Sequence, residues 1–143
     1  MMNILNTAFR LILSFLLGSI IGYEREKKKR KAGLRTHVLV CVGSTLIMLV
    51  SLYIYHLYGK SAAVDPSRIA AGVVTGIGFL GAGTIIRSSE GVKGLTTAAS
   101  IWLAAAIGLA VGCGFISAAL ITTFLVYLIL SFLKRVEKEK LKK

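Results

Sequence analysis

The residues best placed to do chemistry begin with a glycine run. Thr75–Gly83 reads TGIGFLGAG and holds Gly76-x-Gly78-x-x-Gly81, the spacing of a loop that cradles a dinucleotide pyrophosphate. Such a loop needs a strand before it, an amphipathic helix after it and an acid about twenty residues on. Here RIAAGVVT leads in without period-two alternation, and the distant position holds Ile101-Trp102. The phosphate cradle fails. Hydrolytic chemistry has no better support, because no Ser/His/Asp or Cys/His set converges, and the chain is not expected to be an enzyme. His37 has no second histidine or cysteine at useful spacing, which weighs against a metal there. Cys41 and Cys113 fall on opposite sides of the bilayer in the topology derived below, so they cannot pair within one chain.

Carboxylates bear on ion transport. A magnesium or calcium path needs oxygen ligands, generally including acids. All six acids lie at interfaces or in loops, so Mg²⁺ is chemically possible but not supported by intramembrane acids, and no cofactor is expected. Arg10 is the single charge well inside an apolar segment. It either snorkels to the interface on its long stem or forms an intramembrane pair with Asp65. A richer polar set gathers where several apolar segments end: Glu24, Arg25 and Glu26; Arg35, Thr36 and His37; Arg87; Glu90 and Lys93; Thr96 and Thr97. Two readings stand for it: a buried ion-pair network, with Glu24 facing Arg35 or Arg87, or solvated interfacial charges.

The elements that must position these groups are membrane spans. Of 143 residues, 55% are hydrophobic and only 17% charged, against about 25% charged in soluble domains. No charge occurs from Ile69 to Ile86 or from Leu95 to Leu133. Runs of this kind predict an all-α membrane protein, a compact bundle of five transmembrane helices at about residues 4–22, 37–58, 66–86, 95–111 and 115–133. One domain, 1–143, is expected, with no soluble C-terminal domain. A cytoplasmic first loop puts fifteen of the eighteen lysines and arginines inside, which predicts an N-out, C-in orientation. The net charge of +12 hugs the membrane ends, in the first loop (Arg25, Lys27–Lys31, Arg35) and in the tail from Lys134. That placement fits anionic lipid and argues against nucleic acid.

In lipid the glycines have another use, since helix association depends on close backbone approach. Gly72 and Gly76 form a GxxxG pair with Gly83 on the same face, while Gly78 and Gly81 lie on another. The third helix is therefore expected at the centre of the bundle, with Trp102 of the small-sided fourth helix filling its groove. The sharper alternative is that the glycines unwind the third helix and expose carbonyls to a cation. The fifth helix, bulky all round, is expected to face lipid.

Together GYERE (Gly22–Glu26), RTH (Arg35–His37), GIGFLGAGTI (Gly76–Ile85), GLTTAAS (Gly94–Ser100) and Trp102 resemble the bacterial MgtC/SapB membrane family, over about Leu16 to Leu109. The resemblance implies a small helical bundle of the bacterial inner membrane. It links the chain to growth in low magnesium, to virulence through survival in macrophages and, for some members, to inhibition of the F-type ATP synthase; many members are catalogued as magnesium transporters. Carried over by position, it points to Glu24, Arg25, Arg35, Thr36, His37, Thr96 and Thr97 as the functional polar residues, with the glycines and Trp102 structural. The expected function is a regulator acting through membrane-protein partners. The alternative is a Mg²⁺ or other cation transporter or channel. The two small faces of the third helix also suggest a homodimer.

Overall fold

The computed structural model describes residues 3–59, 64–89 and 91–133. Glu90 and the basic tail from Lys134 lie outside these. The chain runs through five helices: α1 (Ile4–Lys27), α2 (Leu34–Tyr58), α3 (Ser67–Ala82), α4 (Leu95–Cys113) and α5 (Ile116–Leu128), the last widening into a π-helical segment, Ile129–Leu133. Three of them, α1, α2 and α4, are long and apolar enough to cross a membrane; α3 and α5 are shorter apolar helices.

Each helix end has a local cause. The Asn3 side chain accepts from the Leu5 amide and caps α1. At the far end of α4 the Gly114 amide donates to Val111 and the Phe115 amide to Ala110, a Schellman closure. Gly114 takes the left-handed conformation this requires, at φ 91°. α1 closes the same way, Lys29 to Glu26 and Arg30 to Arg25, but the left-handed residue is Lys29, at φ 51°. Asp65 precedes α3 and accepts from both the amide and hydroxyl of Ser67, which hold its carboxyl below the usual carboxylate range.

α3 is shorter than the expected span. It stays helical through Gly76, Gly78 and Gly81, so the glycines do not unwind it, and it ends at Ala82 after 16 residues, about 24 Å at 1.5 Å per residue. Beyond it the β-branched run Thr84-Ile85-Ile86 favours extended backbone. The expected polar link is an antiparallel ribbon, β1 (Ile86–Ser88) with β2 (Gly91–Lys93), Ile86 opposite Lys93. Its return into α4 needs Gly94 at φ +99°, where a Cβ would collide with the Thr84 carbonyl. This ribbon is the exception to an all-helical chain among the described residues.

The packing also corrects the expected centre. α4 packs against each of the other helices and α2 against α1, α3 and α4, whereas α3 is peripheral, with only Val73 and Gly81 buried. The reason lies in two glycine pairs outside α3. Gly18 and Gly22 on α1 face α2, where a Cβ on Gly22 would lie 2.7 Å from the Leu34 Cα. Gly108 and Gly112 on α4 also face α2, beside α1 and one to two turns further along, where a Cβ on Gly112 would lie 2.6 Å from the Met48 Cβ. Thr45, buried between them, bonds the Gly108 carbonyl at 2.8 Å. Leu17, Ile21, Cys41, Ile107, Val111 and Val126 form the adjoining core. The outward side of α5, with Leu120, Ile121, Phe124 and Leu125 exposed, agrees with a lipid-facing helix.

Candidate functional site

The polar residues gather where the end of α1 meets the starts of α2 and α4. The loop after α1 is short, so the tail of α1 lies beside the head of α2. There the Glu26 carboxylate accepts from the Leu34 amide at 2.8 Å and caps α2 in place of a side chain from Gly33. One turn on, His37 is fully buried. Its Nδ1 lies 2.8 Å from the Gly33 carbonyl, which can only accept, so Nδ1 carries a proton. Its Nε2 lies 3.0 Å from the Ser100 hydroxyl oxygen. With both nitrogens engaged, the imidazole is a tie between α2 and α4. No group of three or more His, Cys, Asp or Glu that could hold a metal occurs among the described residues.

Arg25 continues the network. It is 4% exposed, and its Nη2 donates to the Thr97 hydroxyl at 2.5 Å, in the first turn of α4. Ser100 lies one turn along and also approaches the Thr97 carbonyl at 2.9 Å. The polar tie therefore runs Arg25, Thr97, Ser100, His37 across three helices. Beside it Glu24 pairs with Lys28 at 2.5 Å, and Lys28 also donates to the Leu130 carbonyl, which anchors the end of α5.

Glu24, Arg25, His37 and Thr97 are thus brought together. The other members are not. Arg35 and Arg87 are exposed, so Glu24 faces Lys28 rather than either of them. Thr96 is exposed on the rim of a cavity of about 420 Å³, shared with Arg25, Lys28 and Arg30. Thr36 lines a neighbouring cavity of about 650 Å³ with Lys29, Arg30, Lys31 and Lys93. Of the two sequence readings, a buried polar network holds for the inner residues and solvated charge for the outer ones. Ser100 was missed, and Glu26, expected only as one of the interfacial groups, is a helix cap. Ser100 lies a helical turn beyond Thr97, and Glu26 lies within the acidic end of α1, so spacing carried a signal for both.

At the opposite end, the expected pair of Arg10 with Asp65 does not form. Arg10 Nη1 donates to the Gly112 carbonyl at 2.6 Å and Nε to Asn6 at 2.8 Å, while Asp65 is taken up by Ser67. The Gly112 carbonyl is an orphan acceptor at the negative end of α4, which suits a guanidinium.

The α3 glycines divide. Gly81 is buried, and a Cβ there would meet Ala98 of α4 at 3.5 Å. Gly83 caps the helix. At Gly72, Gly76 and Gly78 an added Cβ would meet nothing within 4 Å, and Trp102 is 44% exposed, so Trp102 does not fill their groove. Instead Gly72 and Gly76 join Gly43 of α2 along an apolar groove of about 420 Å³, walled by Leu39, Ile47 and Ile69.

Comparison with known proteins places this bundle. The MgtC family model matches residues 11–139. The chain belongs to the MgtC family. It is 45% identical over 122 residues to Protein MgtC of Brucella abortus (strain 2308), covering 85% of this chain and 49% of that one. It is 41% identical over 142 residues to Protein SrpB of Synechococcus elongatus, covering 94% and 78%. It is 51% identical over 107 residues to the Escherichia coli (strain K12) protein named "Putative magnesium transporter YhiD", covering 73% and 50%. The chain thus spans about half the length of the YhiD and MgtC relatives. No solved structure matches it. Family membership and three helices able to cross a bilayer mark this MgtC-family chain as a membrane protein.

Proposed function

We propose that this MgtC-family chain is a multi-pass protein of the bacterial inner membrane. It has five spans with the N-terminus outside, and it supports adaptation to low magnesium as a regulator of other membrane proteins. The observation that carries the regulatory reading is the open groove between α2 and α3. Three of its wall positions, Gly43, Gly72 and Gly76, leave space where any other residue would place a side chain. Among lipids, helices associate through such close backbone approach, because no hydrophobic force separates them from the solvent. The groove suits a membrane-spanning helix with a small-residue face. That helix belongs to a partner such as a membrane subunit of the F-type ATP synthase, or to a second copy in a homodimer. The orientation rests on the inside placement of fifteen of the eighteen basic residues. Anionic lipid is the expected companion of those basic loops, and nucleic acid is not.

Magnesium transport is the second reading, favoured by the name of the Escherichia coli relative. Purified protein in proteoliposomes separates the two. The regulatory reading expects no Mg²⁺ entry beyond that of empty vesicles, together with a membrane protein that co-purifies. Saturable uptake abolished by Glu24→Gln would overturn it.

A further inference from the structure

A cavity over the start of α4 is lined by three basic residues. It holds about 420 Å³ and is lined by Arg25, Lys28 and Arg30, by Gly94, Thr96 and Thr97 at the start of α4, and by the apolar residues Val92, Leu95, Ile129 and Leu130. No side chain caps α4, because its N-cap is Gly94. The first amides of a 19-residue helix therefore bring their partial positive charge to this cavity.

Arg25 supplies the independent observation. It is 4% exposed, yet no described carboxylate pairs with it, since the neighbouring Glu24 is bound to Lys28. Its buried Nε has no hydrogen-bond partner, and its Nη2 reaches only the neutral hydroxyl of Thr97. A guanidinium is thus buried against the positive end of a helix, with a second arginine beside it. Burying a charge in this way is costly unless an opposite charge compensates it. The backbone adds a cost of its own by accepting a left-handed lysine at Lys29, and the resulting turn folds the Arg30 amide back onto the Arg25 carbonyl at 3.0 Å.

We infer that this cavity binds a phosphate group, with Arg25 and Arg30 as charge partners and the α4 amides with the Thr96 and Thr97 hydroxyls as donors. Guanidinium groups and helix N-termini share this preference for phosphate oxygens. A phospholipid headgroup and a free phosphate offer the same chemistry. The exposed Val92, Leu95 and Ile129 on the rim would meet the acyl chains of the first and do nothing for the second. The inference is independent of whether the protein regulates or transports.

Thermal unfolding of the full chain in detergent tests it. The additions are phosphatidylglycerol against diacylglycerol of the same acyl chains, which lacks the phosphate, and inorganic phosphate against chloride at equal ionic strength. Ligand binding to the folded state alone raises the midpoint in a saturable way. Wild type and Arg35→Gln, which removes an exposed charge outside the cavity, are expected to show such a rise. Arg30→Gln is expected to lose most of it, and Arg25→Gln all of it. Arg30 is exposed, so its variant should fold even if Arg25→Gln does not. A rise with phosphatidylglycerol alone assigns the phosphate to lipid, and one with inorganic phosphate alone to a free anion. Either supports the site, as do both together. No rise with either, or an equal rise in Arg30→Gln and Arg35→Gln, overturns it.

Discussion

Arg25 Nη2 donates to the Thr97 hydroxyl at 2.5 Å, so a buried cation near the end of α1 is fastened to the positive end of α4. The bond joins two family-type motifs that lie far apart in sequence, GYERE and GLTTAAS. Hydrogen bonds to charged groups contribute about 1.5–3 kcal/mol. Thr97→Val is expected to destabilise by that order. A double-mutant cycle with Arg25→Gln should give a coupling of about 1–3 kcal/mol in chemical unfolding. Strictly additive losses would show that the two side chains do not act together.

The bundle is closed by Gly22, Gly108 and Gly112 against α2, and left open at Gly78. Gly108→Ala would force a Cβ onto the Cys41 carbonyl, and overpacking of this kind costs about 1–3 kcal/mol. Gly78→Ala has free space and should be neutral, or stabilise by about 0.4–1 kcal/mol through the unfolded chain. Thermal unfolding of the two variants in one detergent compares them directly. A more harmful Gly78→Ala would contradict the packing described.

Arg10 caps the Gly112 carbonyl and owes nothing to Asp65. Arg10→Asp should therefore lower the unfolding midpoint, and adding Asp65→Arg should not restore it. Recovery in the double variant would reinstate the ion pair that the sequence suggested.

The same closing motif ends α1 and α4, with Lys29 in one and Gly114 in the other at the left-handed position. An L-residue with a Cβ loses roughly 1–2 kcal/mol there. Lys29→Gly is expected to raise stability by about 1 kcal/mol and Gly114→Ala to lower it by a similar amount. Equal and opposite signs in thermal unfolding are the expected outcome. A destabilising Lys29→Gly would mean that the lysine side chain contributes more than its backbone costs.

Much of this was legible in the chain. Uncharged runs marked the helices, and the polar residues at their ends named four of the groups that meet, Glu24, Arg25, His37 and Thr97. Two things were not. GxxxG spacing is shared by Gly18/Gly22, Gly72/Gly76 and Gly108/Gly112, and spacing alone does not say which pairs meet a neighbour inside the chain. Only the first and last do, which is why α3 was expected at the centre and lies at the edge. Likewise Arg10 could be matched to Asp65 by charge, whereas its partner is a backbone carbonyl, and every residue in a sequence carries one of those.

The central claim is that the open groove of Gly72 and Gly76 receives a partner helix. Gly76→Leu fills the groove without touching the packed glycines. The direct measurement is growth at low magnesium of cells lacking the protein, supplied with wild type or Gly76→Leu at equal membrane abundance. The account predicts that wild type restores growth and that Gly76→Leu, though as stably folded, does not. Full restoration by Gly76→Leu would contradict it.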